Sequence, residues 1–366
     1  SAQSRPEPEY RTAQHEGTPT SGRAPAAASS FGDARIPVIV ISGFLGSGKT
    51  TLLRHIIDSP TLADSLVIVN EFGEVGIDHH LLERSDDRTV LLDNGCLCCE
   101  LRGDLQELLV DVMMRRRRGD LPGFDRVFIE TSGLAEPGPI AQTLYSDAAL
   151  TRSYRLAFVT TLVDAVGTQG RSAAAGVAEH QVAAADLVVI SKADRTDDKG
   201  LSEAQAWIRR INPFATCLTA VHGNVDSGLF AGNVQVAGPL PRTSLEGGGH
   251  GAAHADHPGD IKSFAMTLDG PVPRAVFDTF VEVLTRMAGE NLLRVKGIVQ
   301  FDDAPRPLLI QGVRHVFETP SELPRGTSVP ATSTLVFITR GVARAHIESL
   351  WSSLNAMAKT STTKRT

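Results

Sequence analysis

Short apolar runs recur along the first half of the chain: Ile36 to Ile41, Leu66 to Val69, Thr89 to Leu92, Arg126 to Glu130, Leu156 to Asp164 and Leu187 to Ile190. Between them the apolar spacing turns helical, as in Thr51 to Ile57 and from about Leu101 to Arg118. Buried strands alternating with helices predict an α/β class, a mostly parallel sheet covered on both faces. In such sheets ligands bind at the carboxyl ends of the strands. Residues 1–34, rich in Ser, Pro, Ala, Thr and Gly, bury too little to offset the cost of ordering and are expected to be disordered.

A first domain is expected over 35–226. Gly, Pro, Ser and His then dominate to residue 260, so 227–260 is read as a linker. From Ile261 the pattern resumes: strands near Ser263–Leu268, Leu292–Phe301, Leu308–Phe317 and Leu335–Thr339, with helices near Arg274–Met287 and Val342–Ala358. This predicts a smaller C-terminal α+β domain over 261–358, followed by a tail at 359–366.

The polar motifs fall at the predicted strand ends. Gly43-Phe44-Leu45-Gly46-Ser47-Gly48-Lys49-Thr50 lies between the first strand and the first helix and fits the phosphate-loop pattern GxxxxGK(S/T). Glycines let successive backbone N–H groups point at an anion, and the helix N-terminus adds partial positive charge. Gly43, Gly46, Ser47, Gly48, Lys49, Thr50 and Thr51 are the expected nucleotide contacts, with Lys49 on the outer phosphates and the Thr50 hydroxyl on Mg²⁺. The fold class is therefore a P-loop NTPase with a mostly parallel sheet, plus the C-terminal α+β domain.

Glu130 ends the fourth strand, where an acid can complete the Mg²⁺ shell. Beyond it, the Gly133 N–H can meet a γ-phosphate and move when that phosphate leaves. Lys49, Thr50 and Glu130 are the candidate catalytic residues. After the sixth strand comes Ser191-Lys192-Ala193-Asp194. A buried carboxylate at Asp194 would accept from the N1–H and amine of guanine and be left unmatched by adenine.

Three of the four cysteines sit in Cys96-Leu97-Cys98-Cys99. Thiolates suit Zn²⁺ or a similar borderline ion in a four-coordinate site, and Glu71, Glu74, His79 and His80 in the preceding loop are candidates for an outside ligand. A redox pair or plain core cysteines are the alternatives; Cys217 reads as buried filler. His250, His254 and His257 form a weaker pattern that either gathers metal loosely or is simply solvated.

The remaining composition narrows the partners. A net charge of −6 over 366 residues gives no bulk field for nucleic acid or an anionic membrane. The exception, Arg115 to Arg118, closes a helix where cations meet the C-terminal dipole favourably. No apolar run nears the ~20 residues of a spanning helix. Few cysteines and no signal-like N-terminus lead to the expectation of a reducing cytoplasm.

Together these residues resemble the CobW-like family of P-loop GTPases, which act as metallochaperones or metal insertases. Gly43 to Leu53 is similar to its phosphate loop, Asn70 to Asp78 to its first switch, Asn94 to Cys99 to its CxCC metal motif, and Glu130 to Pro137 to its second switch. Leu292 to Gly297 and Gln311 to His315 are similar to its C-terminal domain. Ser191 departs from the family, which usually has Asn or Thr there. The resemblance implies GTP hydrolysis with Mg²⁺, coupled to delivery of Zn²⁺ (alternatively Co²⁺) to a client metalloprotein, with GTP and GDP as ligands and homodimerisation open. The metal motif it implies is Cys96, Cys98 and Cys99, to which Glu71 and Glu74 in the loop ahead of it are the candidate carboxylate ligands. Two other classes stay open: a metal buffer or sensor in which nucleotide is structural, and an adenine-nucleotide phosphotransferase.

Overall fold

β1 (Ile36–Gly43) lies in the middle of a sheet, and its alternating side chains feed two cores. Ile36, Val38 and Val40 pack with Leu105, Leu109 and Val112, whereas Ile39 and Ile41 pack with Leu52, Leu53 and Ile56. A run that is apolar at every position is therefore a strand covered on both sides. The computed structural model describes residues 35–69, 89–91, 100–167, 175–231, 261–323 and 331–363. The N-terminal segment, Glu71, Glu74, His79, His80, Cys96, Cys98, Cys99 and the three linker histidines lie outside the described residues.

The other strands of this sheet are β2 (Ser65–Val69), β3 (Thr89–Leu91), β4 (Arg126–Glu130), β5 (Tyr154–Asp164), β6 (Leu187–Ser191) and β7 (Thr216–Thr219). Their order is β3-β2-β4-β1-β5-β6-β7, and all seven described strands pair in parallel. Helices α1 (Lys49–Ile57), α2 (Glu100–Arg118), α3 (Gly138–Ser146), α4 (Ala148–Ser153), α5 (Ala175–Ala184) and α6 (Asp198–Ile211) connect them. At nine residues α1 is too short to persist alone. Full burial of Leu52, Leu53 and Ile56 holds it to the sheet, each side chain worth about 1.5–3 kcal/mol over exposure.

β7 is an addition to the six strands expected. It is an edge strand whose residues are only partly buried, so its pattern is weak, and Cys217 sits on it half-buried rather than in the core. The arginine run closes α2 as its position predicts: Arg115 faces Asp111 at 3.8 Å, Arg118 faces Asp120 at 3.0 Å, and Arg116 lies 5.1 Å over the Phe124 ring.

From Ile261 the chain builds a second, antiparallel sheet from β8 (Ile261–Leu268), β9 (Leu292–Val299), β10 (Leu308–Val313), β11 (Val316–Phe317), β12 (Ser321–Glu322) and β13 (Ser333–Arg340). The order is β11-β10-β9-β13-β8, with β12 on β10. Helices α7 (Arg274–Ala288) and α8 (Arg344–Thr363) share a core with it. Phe277, Phe280, Leu284 and Ala288 form the apolar stripe of α7, and Phe280 meets Trp351 of α8 edge-on at 5.4 Å. The expected strand Leu308–Phe317 is in fact two strands, because the chain reverses at Arg314-His315.

A further core joins the two sheets' domains: Leu293 and Ile338 pack among Val182, Ile208 and Ile211. At its margin the buried Asp186 accepts from Arg294 at 2.6 Å and Lys296 at 3.0 Å. No helix among the described residues is long and apolar enough to cross a membrane.

Candidate functional site

The carboxyl ends of β1, β4, β5 and β6 converge on one edge of the parallel sheet. Ile41 pairs with Glu130, Gly43 with Leu162, and Asp164 with Ser191. From β1 the chain enters the glycine loop, where Gly43, Gly46 and Gly48 take positive φ. Ser47 N–H donates to the Phe44 carbonyl at 3.1 Å, and α1 begins at Lys49 with no side-chain cap and no acid in its first turn. The uncapped helix end leaves backbone donors and partial positive charge facing the loop.

Lys49 is nearly buried, and its ammonium donates to the carbonyls of Gly43 at 2.9 Å and Phe44 at 3.3 Å. The Thr50 hydroxyl donates to Glu130 Oε1 at 3.1 Å, although 80 residues separate them. The parallel register of β1 and β4 makes this contact, by carrying Glu130 to the level of Ile41. Hydroxyl and carboxylate oxygens together are hard donors of the kind Mg²⁺ takes. Thr51 is exposed.

Beyond β4, Gly133 touches the phosphate loop itself. A Cβ there would lie 2.6 Å from the Leu45 nitrogen and 2.7 Å from its Cα, so no larger residue fits without moving the loop. The segment is held from α5: the fully buried Gln181 donates from Nε2 to the carbonyls of Ala135 at 2.9 Å and Gly133 at 3.2 Å. Next to it, His180 meets Glu136 through Nδ1 at 2.9 Å and Arg340 through Nε2 at 3.1 Å. Burial, then the Arg340 charge, push the His180 pKa below its ordinary value. The ring is therefore neutral near pH 7, and since a guanidinium only donates, Nε2 accepts and Nδ1–H donates to Glu136.

In the Ser191–Asp194 motif, Ser191 donates to the Ser47 carbonyl at 2.6 Å, tying it to the phosphate loop. Lys192 has φ 55° and pairs with Asp164 at 2.6 Å, whose other oxygen accepts from Val166 N–H. Asp194 lies in a short 3₁₀ turn beyond the strand and is exposed rather than buried. Discrimination by unmatched acceptors there depends on the base itself covering the carboxylate.

The structure thus brings together Lys49, Thr50 and Glu130, sets Gly133 against the loop, and joins Ser191 to Ser47. Among the described residues no group of three or more His, Cys, Asp or Glu is placed to hold a metal. Asp164, His180 and Gln181 had no part in the sequence reading. For Asp164 a signal existed, an acid ending a strand on the ligand-binding edge; His180 and Gln181 sit in an ordinary helical pattern.

Fold and loop define a P-loop nucleotide-binding protein. Residues 37–219 match the CobW/HypB/UreG nucleotide-binding domain and residues 261–355 the cobalamin synthesis protein cobW C-terminal domain. The chain belongs to the CobW family. It is 36% identical over 310 residues to the zinc chaperone YjiA of Escherichia coli, covering 83% of this chain and 93% of that protein. The zinc-regulated GTPase metalloprotein activator 1 of Schizosaccharomyces pombe is 28% identical over 328 residues, 79% of this chain and 78% of its own. Among solved structures, Zn(II)-bound YjiA GTPase from E. coli superimposes with a TM-score of 0.63 at 31% identity, covering 87% of this chain and 99% of that one.

Proposed function

We propose that this protein is a GTP-hydrolysing metallochaperone, in which the nucleotide state controls a zinc ion bound by Cys96, Cys98 and Cys99 with a carboxylate from Glu71 or Glu74. The observation that carries the reading is the Thr50–Glu130 contact at 3.1 Å beside Lys49, inside a glycine loop that opens a helix. Thr50 and Glu130 would hold Mg²⁺, which when bound neutralises charge on the β- and γ-phosphate oxygens. Lys49 follows the same oxygens, and Gly133, against Leu45, stands where the loss of a phosphate is felt. The names of the relatives from E. coli and S. pombe support zinc over cobalt.

Base choice is assigned to Lys192 and Asp194. In Asp194→Asn the amide donates at one end and accepts at the other, which suits xanthine better than guanine. GTP affinity is expected to fall and xanthosine triphosphate affinity to rise, read by competition against a fluorescent nucleotide. Unchanged GTP affinity removes Asp194 from base recognition.

The metal half is tested by linkage. If the γ-phosphate orders the loop that brings this carboxylate to the thiolates, Zn²⁺ raises the affinity for a non-hydrolysable GTP analogue by the factor by which that analogue raises Zn²⁺ affinity, on the order of 5–150-fold. Calorimetric titration of each ligand with and without the other measures both factors. Cys98→Ser with Cys99→Ser is expected to abolish the coupling and spare magnesium-dependent GTP binding. Equal zinc affinity with GDP and the analogue leaves a metal buffer in place of a chaperone.

A further inference from the structure

Resting on that nucleotide-switch reading, we propose that Glu136 is the lever through which the nucleotide site acts on the C-terminal domain, its load-carrying partners being Arg314 and the His180–Arg340 pair.

The contacts run without a gap. Leu45 of the phosphate loop abuts Gly133, Gln181 holds the carbonyls of Gly133 and Ala135, and the next side chain, Glu136, leaves the nucleotide domain. One carboxylate oxygen of Glu136 is paired with Arg314 Nη2, and the other accepts from His180, whose far nitrogen accepts from Arg340. Arg314 is the turn between β10 and β11, and Arg340 ends β13. Glu136 thus meets the C-terminal sheet directly at the β10–β11 turn and, through His180, at the end of β13.

Two features show that Arg314 is held in place for this contact. Its φ is 55°, a region that a side chain with a Cβ seldom occupies, and such strain persists where the surroundings over-determine it. Its side chain also lies across Gly138, the first residue of α3, where a Cβ would fall 2.7 Å from Arg314 Cδ and 2.8 Å from Nε. Glycine at 138 is the space the guanidinium passes through. Arg314 also faces Glu290 at 3.4 Å, so it spans from the 3₁₀ turn Gly289–Asn291 that follows α7 to the segment following β4.

A shift of Gly133 when the γ-phosphate departs moves the two carbonyls under Gln181 and, three residues on, the carboxylate that Arg314 and His180 share. A displacement of this kind has somewhere to go: the ion pair is partly exposed and sits at a domain interface, where two discrete arrangements can exchange.

The full chain, loaded with GDP or with a non-hydrolysable GTP analogue, is compared by hydrogen exchange over Leu308 to Glu318. Exchange in this hairpin is expected to differ between the two states by about fivefold or more. Arg314→Ala removes the difference and leaves GDP affinity unchanged. Gly138→Ala removes it as well, by pushing the guanidinium aside while keeping every charge and placing a better helix former in α3. By reciprocity, both variants change the ratio of analogue to GDP affinity by the factor lost in exchange. Identical exchange in the two states, or a difference that survives both variants, overturns the lever while GTP binding stands. A chain that binds neither nucleotide overturns the proposed function and the lever with it.

Discussion

Replacing Lys49 with alanine is expected to lower GTP turnover on the order of a hundred- to a thousandfold, the cost of removing one preorganised donor from a developing negative charge. The ammonium is nearly buried and already aimed inward, bridging the carbonyls of Gly43 and Phe44 at the mouth of the loop. It therefore needs little reorganisation to meet phosphate oxygens. Thr50→Ala acts on a different group: it deletes the hydroxyl that lies 3.1 Å from Glu130 and should shift the magnesium dependence as well as the rate. In both variants the apolar contacts of Leu52, Leu53 and Ile56 are untouched, so the helix and the sheet should persist. Phosphate release at saturating GTP, beside circular dichroism on the same sample, separates lost chemistry from lost fold. A folded Lys49→Ala protein that turns over at the wild-type rate takes the phosphates away from Lys49.

What could be read in advance follows from the range of each interaction along the chain. The β1 strand, the glycine loop and α1 are contiguous, and each local preference agrees with the next, so that unit was legible from residues 36 to 57 alone. The parallel sheet was legible because strands buried on both faces read as unbroken apolar runs. β7 escaped because an edge strand buries only part of each side chain, and Thr216 to Thr219 carries little pattern. The break in the expected strand at Arg314 escaped for a backbone reason: the left-handed conformation there is taken by an arginine, and no glycine or asparagine marks the turn.

In the site, the one-dimensional motifs were visible and their partners were not. Glu130 was singled out from its place at a strand end, but its distance from Thr50 is set by strand register. Gln181 and His180 reach back 44 to 48 residues from an alanine-rich helix to hold the Gly133–Glu136 segment, with no local signature of that task. The same holds for Asp186, an aspartate ahead of an apolar strand until β9 of the other domain is packed against it.

Removal of that aspartate carries the second large effect. Asp186→Ala is expected to destabilise the junction of the two domains by roughly 3–5 kcal/mol, because it strands buried charge rather than merely losing a contact. Asp186 accepts from Arg294 at 2.6 Å, from Lys296 at 3.0 Å and, through its other oxygen, from the Val159 N–H at 3.0 Å. Burial alone would raise its pKa, but the Arg294 and Lys296 charges outweigh burial and hold it below the ordinary value of 3.8. Its contribution is therefore complete above that value and is lost as pH falls through the lower folded one. Lys296 runs the other way: burial, together with the Arg294 charge, outweighs Asp186 and lowers its pKa. Without the carboxylate, two cations face each other in an apolar seam beside Leu293 and Ile338. Urea denaturation of Asp186→Ala should split the unfolding transition, with the C-terminal domain released first. Asp186→Leu combined with Arg294→Met and Lys296→Met should regain most of the loss, since apolar residues of similar volume often replace a buried ion pair without cost. A change in Asp186→Ala of no more than about 0.5 kcal/mol, the size typical of surface substitutions, would mean that the domains are held by the apolar seam alone.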